Sequence, residues 1–71
     1  MRVTMLAKDE DSMVGGCPSV YLGADGSAVV QGQEADADTL GNLANPLPGE
    51  TAVHIKPSVL RAAVAAYLER A

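Results

Sequence analysis

The chain has 71 residues, nine Asp and Glu against five Lys and Arg, a net charge of −4, one cysteine, and Tyr21 and Tyr67 as its only aromatic side chains. That length makes a single domain, residues 1–71; one cysteine excludes an internal disulfide, and no Cys or His pair stands at the spacing of a structural zinc. The acidic balance disfavours direct binding of nucleic acid, and no apolar run approaches the roughly 20 residues of a membrane span.

In chain order, Arg2 to Ala7 alternates with Val3, Met5 and Ala7 on one face and predicts an edge strand. Lys8 to Gly16 holds Asp9, Glu10, Asp11, Ser12 and a Gly pair, the composition of a surface loop. Pro18 then opens the clearest feature, a β-hairpin in which Ser19 to Leu22 and Ala28 to Gln31 fold about Asp25-Gly26.

The register of this hairpin follows from turn chemistry. A three-residue loop, Ala24-Asp25-Gly26, puts Gly26 at a left-handed position where a Cβ is costly. It sets Val20 opposite Val30 and Leu22 opposite Ala28 on one face, and Ser19 opposite Gln31 and Tyr21 opposite Val29 on the other. A two-residue Asp-Gly turn would pair Val20 with Gln31, mixing polarity on both faces. The first arrangement is therefore preferred.

Glu34 to Ala44 places Asp36 and Asp38 where a helix dipole favours acids, followed by Leu40 and Leu43 at helical spacing, and predicts a short helix. The sequence Asn45-Pro46-Leu47-Pro48-Gly49 ends it in turns. Thr51 to Lys56 alternates as a strand, with Val53 and Ile55 inward and Ala52, His54 and Lys56 outward. Pro57 suits the first turn of a terminal helix on which Leu60, Val64, Tyr67 and Leu68 form an apolar stripe, widened by Val59, Ala63 and Ala66. Arg61, Ala65 and Glu69 lie opposite.

These elements predict an α+β fold: a small three- or four-stranded, mainly antiparallel sheet with the C-terminal helix packed on one face, that of Val20, Leu22, Ala28, Val30, Val53 and Ile55. A core assembled from Val, Leu, Ile, Met and Ala at this length supplies only about 3–5 kcal/mol. Association with a protein partner or a second copy is the compensation left, since no metal or cofactor is expected. A lone thiol without an export signal fits a cytoplasmic location.

Four residue patterns invite a chemical reading. Cys17 with His54 suggests a thiol enzyme, but no carboxylate or carboxamide stands beside His54 to orient it, and Cys17 reads as a packed side chain at a strand entry. Asp36, Asp38 and Gly41 match positions 1, 3 and 6 of a calcium loop; Leu40 and Leu47 occupy positions 5 and 12, so the closing carboxylate is missing and the acids read as helix-starting residues. Asp9-Glu10-Asp11 suits phosphate mimicry toward a basic partner, or more simply a solvated loop. Gly15-Gly16 suggests a precursor cleaved to a peptide starting at Cys17, although the strands that follow need Val3 and Met5 to complete a domain. The reading adopted is not an enzyme.

Cys17, Val20 and Leu22, the Asp25-Gly26 turn, Val29 and Val30, and then Gly49, Ile55 and Pro57 ahead of a terminal helix resemble the small uncharacterised actinobacterial proteins encoded beside WhiJ-type helix-turn-helix regulators, or a sister family. The resemblance runs from Cys17 to the C-terminus. The chain departs from that pattern in lacking aromatic residues early in the terminal helix and near the N-terminus. What the resemblance implies is a regulatory accessory protein that binds a helix-turn-helix transcription factor, with an antitoxin-like neutraliser as the alternative. The surface expected to carry the partner is the outer sheet face, Ser19, Tyr21, Val29, Gln31 and His54, polar enough for solubility and apolar enough to associate.

Overall fold

A computed structural model describes residues 1–10 and 18–70. It contains β1 (Val3–Lys8), β2 (Ser19–Gly23), β3 (Ala28–Gln31), β4 (Gln33–Glu34), α1 (Ala37–Gly41), β5 (Val53–His54) and α2 (Pro57–Arg70). β1, β2 and β3 form an antiparallel sheet in that order, β4 pairs with β5 in a separate two-stranded ribbon, and α2 covers part of one sheet face. This is the expected small α+β fold.

The hairpin has the register that its turn dictates. Val20 faces Val30, Leu22 faces Ala28, Tyr21 faces Val29 and Ser19 faces Gln31. Gly23 N–H donates to Ser27 O at 2.7 Å across the three-residue loop, and Gly26 takes φ +90°, a conformation that strains any residue with a Cβ. The Ser27 backbone N–H donates to Asp25 Oδ1 at 2.9 Å, closing the turn from the side.

β1 departs from simple alternation. Met5 pairs with Tyr21 but Ala7 pairs with Val20, so the register shifts between them. Such a bulge inserts one residue and reverses which face the following residues occupy. Val3 and Met5 thus share the outer face with Tyr21, whereas Leu6 and Ala7 pack into the core with Val20, Val59, Ala63 and Ile55. The single face expected for Val3, Met5 and Ala7 is corrected accordingly.

Three further expectations are revised. The strand over Thr51–Lys56 shrinks to Val53–His54 and pairs with Gln33–Glu34 rather than extending the main sheet. The chain turns away at Gly32, where a Cβ would lie 2.3 Å from the His54 carbonyl oxygen, so only glycine lets the two backbones approach. The helix over Glu34–Ala44 shrinks to Ala37–Gly41: Glu34 belongs to β4, Ala35 is buried with its N–H bonded to Ala52 O, and Asp36 becomes the N-cap, accepting from Thr39 N–H at 2.8 Å. Asp9 is not a solvated loop residue. It is 7% exposed and pairs with Lys56 Nζ at 3.0 Å, tying the end of β1 to the start of α2.

α2 begins at Pro57 as expected, with Lys56 C=O accepting from Val59 N–H at 2.9 Å. Its buried edge, however, is Val59 and Ala63, while Leu60, Val64, Tyr67 and Leu68 remain about half exposed or more. The helix lies chiefly over the edge strand β1 and less over the central strand β2. Small side chains at 63 and 66 permit this close approach, which leaves Ala28 and Val30 of β3 uncovered.

Candidate functional site

The outer sheet face is built by the hairpin register. Because paired residues share a face, Ser19, Tyr21, Val29 and Gln31 stand together, joined by Val3 and Met5 from β1. The Tyr21 hydroxyl donates to Gln31 Oε1 at 2.9 Å, and Ser19 Oγ lies 3.1 Å from the Tyr21 oxygen and 3.2 Å from Gln31 Oε1. One hydroxyl proton serves only one of those two acceptors at a time, so the three side chains form a shared network spanning β2 and β3. It holds the Tyr21 ring in place.

Of the residues expected on this surface, Tyr21 and Val29 are half-buried and Gln31 is exposed. Ser19 is 2% exposed and therefore acts beneath the surface, positioning Tyr21 and Gln31 rather than touching a partner. His54 is exposed but belongs to the β4–β5 ribbon, opposite Gln33, so it is not part of the sheet face. Met5 and Val3, 49% and 45% exposed, take its place. Their alternation with the strand was legible, but the bulge that separates them from Ala7 was not.

The other sequence candidates fall elsewhere. Cys17, Asp11 and the Gly15-Gly16 pair lie outside the described residues, and with them the thiol and cleavage readings. Asp36 spends one carboxylate oxygen on the helix cap. Among the described residues no group of three His, Cys, Asp or Glu gathers as metal ligands would, and no helix is long and apolar enough to cross a membrane.

Two exposed carboxyls are held below the ordinary range by hydrogen bonds. Asp36 is lowered chiefly by the Thr39 backbone N–H, then by the Thr39 hydroxyl, and Asp25 chiefly by the Ser27 hydroxyl, then by the Ser27 backbone N–H. A folded-state value below the unfolded one contributes stability that is present above the unfolded pKa and is lost as pH falls through the folded one. Denaturant midpoints are therefore expected to stay level from neutral pH down to about 5 and to fall below about 4. Replacing Asp25 and Asp36 together by Ala should make that acid limb shallower without abolishing it, since the Asp9–Lys56 pair remains; an acid limb of unchanged steepness would assign it to other groups.

A second apolar surface lies on the opposite side of the sheet. An open groove of about 320 Å³ runs between β3 and α2, floored by Val20, Leu22 and Ala63 and walled by Ala28 and Val30 on one side and Leu60, Val64 and Tyr67 on the other.

Fold and surfaces together define a small α+β domain whose three-stranded sheet is left partly uncovered on both faces by the described residues. In comparisons with protein-family models, curated proteins and solved structures, nothing matches this chain.

Proposed function

We propose that this protein is a small acidic interaction module, a cytoplasmic regulatory accessory protein that binds a helix-turn-helix transcription factor through its outer sheet face. The observation that carries this reading is the semi-apolar patch of half-exposed Met5 with half-buried Tyr21 and Val29, edged by exposed Gln31 and tied together by the Ser19–Tyr21–Gln31 hydrogen bonds. Aromatic and methionine side chains over a hydrogen-bonded base are typical of the centre of a protein interface. The net charge of −4 suits a basic DNA-binding partner and opposes DNA itself. The choice of a regulator as partner comes from the resemblance of the hairpin, Pro57 and terminal helix described above.

Calorimetry against a WhiJ-type helix-turn-helix regulator from the same genome tests the proposal. Met5→Ser with Tyr21→Ser should weaken the complex by about 2 kcal/mol, roughly 30-fold in Kd, with the circular dichroism of the free protein preserved. Unchanged affinity in the double variant removes this face. Tight sequence-specific DNA binding by the wild-type protein alone removes the reading altogether.

A further inference from the structure

The groove beside β3 opens onto an unpaired strand edge. β3 is the last strand of the sheet, and among the described residues nothing pairs with its outer side. Hydrogen-bonded and non-hydrogen-bonded pairs alternate along an antiparallel ladder. The Gly23–Ser27 bond at 2.7 Å sets the phase, so Val29 bonds inward to Tyr21 while the N–H and C=O groups of Ala28 and Val30 point to the free edge. Exposed edges are ordinarily blunted with Lys, Pro or a bulge. Ala28-Val29-Val30-Gln31 has none of these.

We propose that this edge and groove seat a second copy of the chain, joining two sheets into one of six strands about a two-fold axis at Val29. The pairing is self-complementary. Antiparallel β3 strands with Val29 opposite Val29 place Ala28 opposite Val30 in both directions, so the four outward-pointing residues exchange their backbone hydrogen bonds. The same register keeps Ala28 and Val30 of both copies on the helix side, where Leu60, Val64 and Tyr67 of each copy close the groove. A face used by both subunits in this way is what a two-fold interface requires.

Area and charge favour this occupant. The chain exposes 5485 Å², about 1,300 Å² more than a compact monomer of 7.3 kDa. Its radius of gyration, 13.1 Å, exceeds the roughly 11 Å expected of a compact chain this long. A standard interface takes about 800 Å² from each partner, so the surplus is sufficient for one. The strand and the groove lining carry no charged side chain, and the net charge of −4 is therefore held off the seam. The inference is independent of the proposed partner, although the dimer would align the two outer faces in one row, Tyr21, Val29, Val29, Tyr21.

Directly opposed residues of a non-hydrogen-bonded pair lie about 4.5 Å apart at Cα, within disulfide range. In a Cys17→Ser background, Val29→Cys should cross-link to a covalent dimer on mild oxidation, far ahead of Leu47→Cys, which is 64% exposed in a remote loop. Sedimentation velocity of the wild type should give twice the 7.3 kDa chain mass, and Val30→Lys with Val64→Lys should return it to the monomer with unchanged circular dichroism. Neither Val30 nor Val64 belongs to the buried core, so the folded state should survive. A wild-type monomer at its highest soluble concentration, with Val29→Cys oxidising no faster than Leu47→Cys, overturns the proposal. So does a monomer whose binding to the regulator is abolished by Val64→Lys, which would give the groove to that partner. Loss of regulator binding in the outer-face variant with the dimer intact leaves this inference standing and removes only the other.

Discussion

Val59→Asp is expected to leave the chain unfolded at room temperature, whereas Leu60→Asp, one residue further along the same helix, should leave it folded. Val59 is 2% exposed and sits among Val20, Ala63, Leu6, Ala7 and Ile55; Leu60 is 54% exposed. A carboxylate at 59 is either desolvated without a partner or forces α2 off the sheet, at a cost of several kcal/mol. A domain this small holds only about 3–5 kcal/mol. The contrast also corrects the stripe expected from helical spacing, on which Leu60 led the core-facing positions and Val59 only widened it. Circular dichroism melts of the two variants decide: an unfolded Leu60→Asp with a folded Val59→Asp would mean that α2 is rotated from the orientation described.

Gly32→Ala is the second large effect expected, and the one least anticipated by size, since it adds a single methyl group. The added Cβ would fall 2.3 Å from the His54 carbonyl oxygen, a backbone atom that cannot move aside as a side chain can. Either β5 separates from β4 or β3 shifts, and overpacking of this kind costs about 1–3 kcal/mol. Gly41→Ala is the matched control, because nothing lies within 4 Å of the Cβ it would add. Hydrogen exchange should show the Gln33, Ala35 and His54 amides, which bond across the ribbon, losing protection in Gly32→Ala and retaining it in Gly41→Ala. Equal protection in both would show that the ribbon does not depend on this close approach.

Both results turn on packing that hydrophobic spacing alone could not resolve. On α2, seven apolar positions cover more than half of the helix circumference, so periodicity defines a broad stripe without saying which edge of it meets the sheet. The bulge between Met5 and Ala7 is a similar case. Alternation is the only signal in that strand, and a single inserted residue reverses it without leaving any mark in composition. Burial of Asp9 was hidden because its partner, Lys56, lies 47 positions away.

What the sequence determined by itself was local. The Asp25-Gly26 turn dictated the pairing of four residue pairs and Pro57 the start of α2, because each depends on φ restrictions or on hydrogen bonds within a few residues. From that register came the grouping of Ser19, Tyr21, Val29 and Gln31. Only the tertiary structure decided that His54 stands apart from them, that Met5 joins them, and that α2 settles over β1 and β2 and leaves β3 bare. Those outcomes depend on where whole elements come to rest, which is governed by close approach at Gly32, Ala63 and Ala66 and by contacts between distant segments, and no window of neighbouring residues encodes them.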